Sequence, residues 1–369
     1  MRKILVCGAA FAATCVSAVA VPGGAQATTP APAPPTSSPV PSAPPTGEPG
    51  TTTPSDAPPA GGPGSQSPST SSTSHPREGE AAPDGEPDGT VTAQAVMVTP
   101  ELPKFRTYAY GKGPSQRVDA YWREAGPRAT PRPAVLILHG GYWLSGDKGG
   151  GWKYFARRLT EEGFVVMSAN YRLAPKAQWP AQRVDSLAAL TFIKQHARTW
   201  NVDPRRIAVI GSSAGGHLAT QLGTFGTGTA QVRGVIAMSP PISPYLAYQT
   251  GGKPAATPSQ QKLRQAVVDL VQCVPGAASK DCWDRLEDAD TSAHVSAGDA
   301  PMLLMHGSDD FIPTAQSAGL AGALRAAGVP VTVKTIEGGG HAAHLLEDGN
   351  TYPTILSWLK NRLKAGPPE

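Results

Sequence analysis

The chain has 369 residues, with 41 glycines, 39 prolines, four cysteines and a formal net charge of +4 at pH 7. Its Lys and Arg residues are scattered rather than clustered, which excludes a nucleic-acid surface and leaves at most a mild attraction to acidic polymers. No repeat at a fixed period is present, so a solenoid or a propeller is excluded as well.

The first 27 residues read as an export signal. Arg2 and Lys3 precede an apolar stretch over 4–21, and Ala25-Gln26-Ala27 fits a small-x-small cleavage site. The apolar run approaches membrane-spanning length, so an uncleaved anchor competes with this reading. The small residues and the cleavage site favour release, with no stable membrane insertion afterwards. Cys15 lacks the large aliphatic residue that a lipoprotein site carries before it. Over 28–95, Pro, Ser, Thr, Gly and Ala dominate and large apolar residues almost vanish. Such a stretch buries too little surface to offset its ordering entropy, and is expected to be a disordered linker, either a spacer or a wall-spanning stalk. Its acids (Glu48, Asp56, Glu78, Glu80, Asp84, Glu86, Asp88) face one base, Arg77, which leaves the rest of the chain basic. Residues 96–369 are expected to fold as one large α/β domain.

Within that domain, short apolar runs alternate with helical patterns, which argues for a mostly parallel sheet with helices on both faces. Strands are expected over 104–110 and 117–122 as an antiparallel pair. Buried strands follow over 134–138, 164–169, 206–210, 232–238, 302–305 and 331–336. Helices are expected over 152–162 and 181–199, behind Ser213 through 217–222, and over 314–326 and 351–364, the last with Pro353 in its first turn. Between 239 and 299 the pattern becomes irregular, with many Pro, Gly and Ser, as in insertions that overlie functional sites. Cys7 and Cys15 leave with the signal. Cys273 and Cys282 remain, an even pair in an exported protein, and a disulfide is expected. No ligand-spaced Cys or His set accompanies them, and no motif requires a metal, nucleotide or flavin.

Four short motifs carry chemistry. Gly211-Ser212-Ser213-Ala214-Gly215 is G-x-S-x-G between a predicted strand and a predicted helix, the context of a strained turn that exposes a nucleophilic serine. His139-Gly140-Gly141-Tyr142-Trp143 follows the 134–138 strand. Its glycines let backbone N–H groups turn toward a carbonyl oxygen, with Ala214 N–H completing an oxyanion hole. His306-Gly307-Ser308-Asp309-Asp310 offers two carboxylates. Gly338-Gly339-Gly340-His341 brings a histidine to a strand end on a glycine loop, where its reach exceeds that of the rival His344. His139, His217 and His306 read as structural histidines. The chain order is serine, acid, histidine.

Together these motifs resemble the carboxylesterase/lipase branch of the α/β-hydrolase superfamily, near the hormone-sensitive-lipase-like esterases. The resemblance runs over 132–359 and includes Asn170-Tyr171-Arg172-Leu173-Ala174-Pro175, Pro180-Ala181 and Asp185. It implies the α/β-hydrolase fold and a serine esterase without a cofactor, while the signal implies secretion and the linker would allow association with the cell wall. Ser213 would be the nucleophile, His341 the base, Asp310 rather than Asp309 the orienting acid, and Gly140, Gly141 and Ala214 the oxyanion hole. The partner implied is a small-molecule or polymer-borne ester. Tyr142 stands where the lipase branch has a third glycine, and His-Gly-Gly-Tyr-Trp is similar to kynurenine formamidases and to xylan or feruloyl esterases. A formamidase or amidase, a prolyl-oligopeptidase-like peptidase and a non-catalytic wall-binding protein are the alternatives. Tyr142, Trp143, Tyr245, Tyr248 and Trp283 are candidates for an aromatic substrate pocket, with ordinary packing as the competing reading.

Overall fold

The computed structural model describes residues 102–276 and 279–364. The expected signal (1–27), the linker (28–95) and the first residues of the expected domain lie outside the described residues. Among the described residues the sheet has eight strands: β1 (Lys104–Ala109), β2 (Arg117–Trp122), β3 (Arg132–Leu138), β4 (Val165–Ala169), β5 (Val202–Ser212), β6 (Gly234–Met238), β7 (Met302–Gly307) and β8 (Val331–Ile336). Their spatial order is β1-β2-β4-β3-β5-β6-β7-β8. β1 and β2 pair antiparallel, β2 joins β4 antiparallel, and all pairs from β4 to β8 are parallel. This is the α/β-hydrolase fold expected from the motifs.

The parallel strands are continuous apolar runs because both of their faces are covered. Alternate residues of β3 feed two cores. Ala134, Leu136 and Leu138 enter one, and Val135 and Ile137 enter the other. Burying a side chain of this size contributes about 1.5–3 kcal/mol relative to leaving it in water. α1 (Trp152–Glu161) covers the second core with Phe155 and Leu159. α2 (Ala181–Gln195) and α3 (Ala214–Thr224) cover the first, with Leu190, Ile193, Leu218 and Leu222. A four-residue α4 (Gly228–Gln231) leads into β6.

Two expectations are corrected here. The helix expected over 181–199 ends at Gln195. A 3-10 turn, Ala197–Trp200, follows, and Asn201 at φ 53° turns the chain into a β5 that starts four residues earlier than expected. The segment read as irregular between β6 and β7 contains three helices, α5 (Pro244–Thr250), α6 (Pro258–Val271) and α7 (Lys280–Ala289). Its prolines and small polar residues are helix starts. Ser243 caps α5, Thr257 and Gln260 form a capping box on α6, and Pro244 and Pro258 occupy first-turn positions. Cys273 and Cys282 are disulfide-bonded with Cα atoms 5.9 Å apart, tying the end of α6 to α7. α8 (Ala315–Ala326) returns to the first core and α9 (Thr351–Leu363) to the second. No described helix is long and apolar enough to cross a membrane.

The 170–175 motif has a structural job. Asp185 on α2 is fully buried and accepts two hydrogen bonds from the Arg172 guanidinium (2.8 and 2.9 Å), one from Arg172 N–H (2.9 Å) and one from Gln116 (2.8 Å). Asn170 accepts from Lys148 N–H at 2.6 Å. The loops after β3 and β4 are thereby locked together.

Candidate active site

Ser213 lies between β5 and α3 with φ 53° and ψ −122°, a conformation that non-glycine residues adopt only under strain. The neighbouring glycines make that turn possible. A Cβ on Gly211 would lie 2.0 Å from the Gly215 carbonyl oxygen, and one on Gly215 would lie 2.1 Å from that of Leu138. Backbone touches backbone here, leaving no room for a side chain.

His341 follows the Gly338–Gly340 run after β8. Its Nε2 is 2.9 Å from Ser213 Oγ and its Nδ1 is 2.8 Å from Asp310 Oδ1. Asp310, on the turn after β7, also accepts from Ile312 N–H at 2.9 Å. These distances fit an Nδ1–H that donates to Asp310 and a Ser213 hydroxyl that donates to Nε2. The Asp310 side chain is fully buried, and burial by itself would raise its carboxyl. The imidazoles of His306 (Nδ1 3.7 Å from Oδ2) and His341, together with the Ser239 hydroxyl, outweigh that and hold it well below the usual carboxylate range. The turns after β7 and β8 meet directly: Asp309 N–H donates to Gly339 O at 3.1 Å, and Gly338 N–H donates to Ser308 Oγ at 2.8 Å. The rivals lie elsewhere. Asp309 is exposed and bonded to Ser308, and His344 is exposed and paired with Glu347 at 2.9 Å.

The loop after β3 packs on the serine. A Cβ on Gly140 would lie 2.9 Å from Ser212 O and 3.2 Å from Ser213 Cβ. Gly141, Tyr142 and Trp143 then have successive positive φ values of 119°, 60° and 62°. Ala214 opens α3, where an amide N–H has no intrahelical acceptor. The loop is fixed from behind. His139 stacks on Tyr171 with centroids 4.3 Å apart, and Tyr171 donates to His139 O at 2.8 Å. Burial lowers the pKa of His139. Fully buried His217 accepts from Trp143 Nε1 at 3.3 Å and donates from Nε2 to Ala289 O at 2.7 Å. Burial pushes its pKa down to about 4, against the weaker effect of that carbonyl.

The aromatic candidates separate. Tyr142 stacks on Phe311 with centroids 6.0 Å apart, and Phe311 lies 4.2 Å from the His341 ring, so Tyr142 borders the site. Trp143 does not line a pocket. It is 0% exposed, because its indole turns inward to His217. Tyr245 and Trp283 meet edge to face at 4.9 Å and line a separate cavity of about 320 Å³ with Glu287, Asp290 and Ser292. Tyr248 packs under Arg264, which bonds its hydroxyl at 2.7 Å. Sequence reasoning missed Phe311 and Ser239. The only sign of Ser239 was a lone hydroxyl residue closing an apolar strand. Among the described residues, no group of three or more His, Cys, Asp or Glu is placed to hold a metal ion.

A family model described as BD-FAE matches residues 119–324. Esterase LipC of Mycobacterium tuberculosis is 28% identical over 252 residues, covering 68% of this chain and 62% of that protein. The probable carboxylic ester hydrolase LipM of the same organism is 26% identical over 289 residues, covering 73% and 65%. The chain thus spans less than two thirds of the length of these curated relatives. Among solved structures, a truncated carbohydrate esterase from gut microbiota has the same fold, with a TM-score of 0.58 at 22% identity over 70% of this chain and 96% of that one.

Proposed function

The chain belongs to the BD-FAE family, within the α/β-hydrolase carboxylesterases, and from that premise we propose that it is an exported carboxylic-ester hydrolase working through a Ser213–His341–Asp310 triad and an acyl-enzyme. The supporting observation is the unbroken line from Ser213 Oγ to His341 Nε2 (2.9 Å) and from His341 Nδ1 to Asp310 Oδ1 (2.8 Å). His341 accepts the Ser213 proton as Oγ attacks the ester carbonyl carbon. Asp310 keeps the imidazole in the required tautomer and stabilises the imidazolium. The carbonyl oxygen, now an oxyanion, is received by amides of the Gly140–Gly141 turn and Ala214. As the intermediate collapses, the C–O bond to the alcohol breaks and the alcohol takes the proton from His341. A water then attacks the acyl-enzyme, giving its proton to His341, and release of the acid restores Ser213.

The relatives' printed activities favour an ester over an amide, and the ester is small or borne on a polymer. The expected signal and the Cys273–Cys282 disulfide support export, since such bonds persist in oxidising compartments. The test is labelling of the purified mature protein by a fluorophosphonate, alongside a graded acyl-ester panel. Ser213→Ala is expected to abolish labelling and to lower turnover by at least about 10⁴-fold. A folded wild-type protein that neither labels nor turns over any ester would remove the proposal.

A further inference from the structure

His341 and Asp310 stand on two different turns, which bond to each other through residues that precede the histidine. The run before His341 is three glycines, Gly338 among them at φ 64°. Glycine has little intrinsic preference, so an outside contact must fix where the histidine stops.

On the far side of the histidine such a contact is Ser239, fully buried at the end of β6. Its backbone is left-handed at φ 50°, and its N–H donates to Met305 O at 2.8 Å. Its Oγ accepts from Ala342 N–H at 2.8 Å, and Ala342, itself at φ 53°, directly follows His341. The same hydroxyl lies near enough to the Asp310 carboxylate to help hold it ionised. A serine hydroxyl oxygen can accept from a backbone amide, and here it holds the residue that directly follows His341. Without it, the buried Ala342 amide loses its partner.

We propose that Ser239 is a positioning residue whose hydroxyl ties the His341 turn to the end of β6, so that the imidazole is held in register with Ser213 and Asp310. The proposal rests on the esterase reading above for its kinetic consequences, and on geometry alone for its structural ones. A strained conformation at a site residue is stable only where surrounding contacts over-determine it. Here the contacts are with Met305 of β7 through the amide and with the base turn through the hydroxyl.

Three variants separate the hydroxyl from the backbone. Ser239→Gly removes the hydroxyl but suits the positive φ, so the chain path and the bond to Met305 persist. Ser239→Ala removes the hydroxyl and keeps the strain. Ser239→Thr keeps the hydroxyl. In the glycine and alanine variants, kcat on a short-chain aryl ester is expected to fall about 10- to 100-fold, the scale of a small misplacement of a reacting group. KM should stay within about twofold, and the glycine variant should melt within a few degrees of wild type. Ser239→Thr is expected to recover most of kcat at a reduced melting temperature. The far-downfield NMR resonance of the His341–Asp310 proton should shift or broaden in the glycine variant and persist in the threonine variant. A glycine variant with kcat within twofold of wild type would overturn the clamp. If wild type hydrolyses no ester, the esterase reading fails separately. The downfield proton then decides, an unchanged signal in Ser239→Gly overturning the clamp and a lost one supporting it.

Discussion

The turn around Ser213 and the helical segment between β6 and β7 lie close in space and are held in opposite ways. At the turn, backbone presses on backbone: a Cβ on Gly215 would meet Leu138 O at 2.1 Å. In the helical segment the anchors are side chains at long sequence separation. Trp179 Nε1 and the Arg183 guanidinium both bond Asp288 (2.7 and 2.9 Å), Gln260 bonds Phe311 O (2.9 Å), and the disulfide joins α6 to α7. Close backbone approach permits only glycine or alanine and so marks the sequence. Docking by long side chains accepts many residues and leaves little trace.

The contrast predicts different consequences when each region is perturbed. The largest effect should come from the turns. Asp310→Asn preserves shape but reverses the hydrogen-bonding sense at His341, and should lower kcat about 10⁴-fold with an unchanged melting profile. Loss of fold instead would show that the carboxylate serves stability rather than chemistry.

Next is the buried hinge between the regions, His217, which holds both Trp143 and Ala289. Its pKa falls from 6.5 unfolded to about 4 folded, so above pH 6.5 it costs nothing. As pH falls from 6.5 toward 4, the unfolded chain binds a proton that the native state refuses, and stability should drop by up to about 3 kcal/mol. Urea midpoints at pH 8, 6, 5 and 4 measure this. His217→Gln should be less stable at pH 8 and flatter below 6.5, and an equally steep acid loss in that variant would assign it to other groups.

Cutting the disulfide with Cys273→Ser and Cys282→Ser should remove about 2–3 kcal/mol, the closure entropy of a short loop. It should leave kcat on small esters within about twofold, because the bond lies in α6–α7 and not in the turns. A large kcat loss at unchanged stability would erase the distinction between the regions. The smallest effect is expected for Trp283→Ala. The ring is 38% exposed and lines its own cavity with Tyr245, so turnover of an acetyl ester should change less than twofold. A tenfold loss would join that cavity to the site.

The same contrast explains what could be read in advance. The strands of the parallel sheet were legible because two-sided burial writes continuous apolar runs, as in Val135-Leu136-Ile137. The Ser213 turn was legible through its glycines, and the histidine-bearing loop through Gly338–Gly340. The α5–α7 helices were not, because Pro and Ser at their first positions look like loop residues until the capping bonds are seen. Trp143 was misjudged for a related reason. Its place beside Tyr142 says nothing about direction, and the run of positive φ sends one ring toward Phe311 and the other into His217.

By itself, the order of residues determined the strand sequence, the small-residue turns and the residue types available for nucleophile, base and acid, since each depends on local sterics or on burial of a contiguous run. Only the folded chain decided which carboxylate and which histidine meet Ser213, that Ser239 stands between them, and that Tyr245 and Trp283 face a cavity of their own. Those outcomes depend on distances between segments far apart along the chain, which sheet order and side-chain packing set and no local pattern encodes.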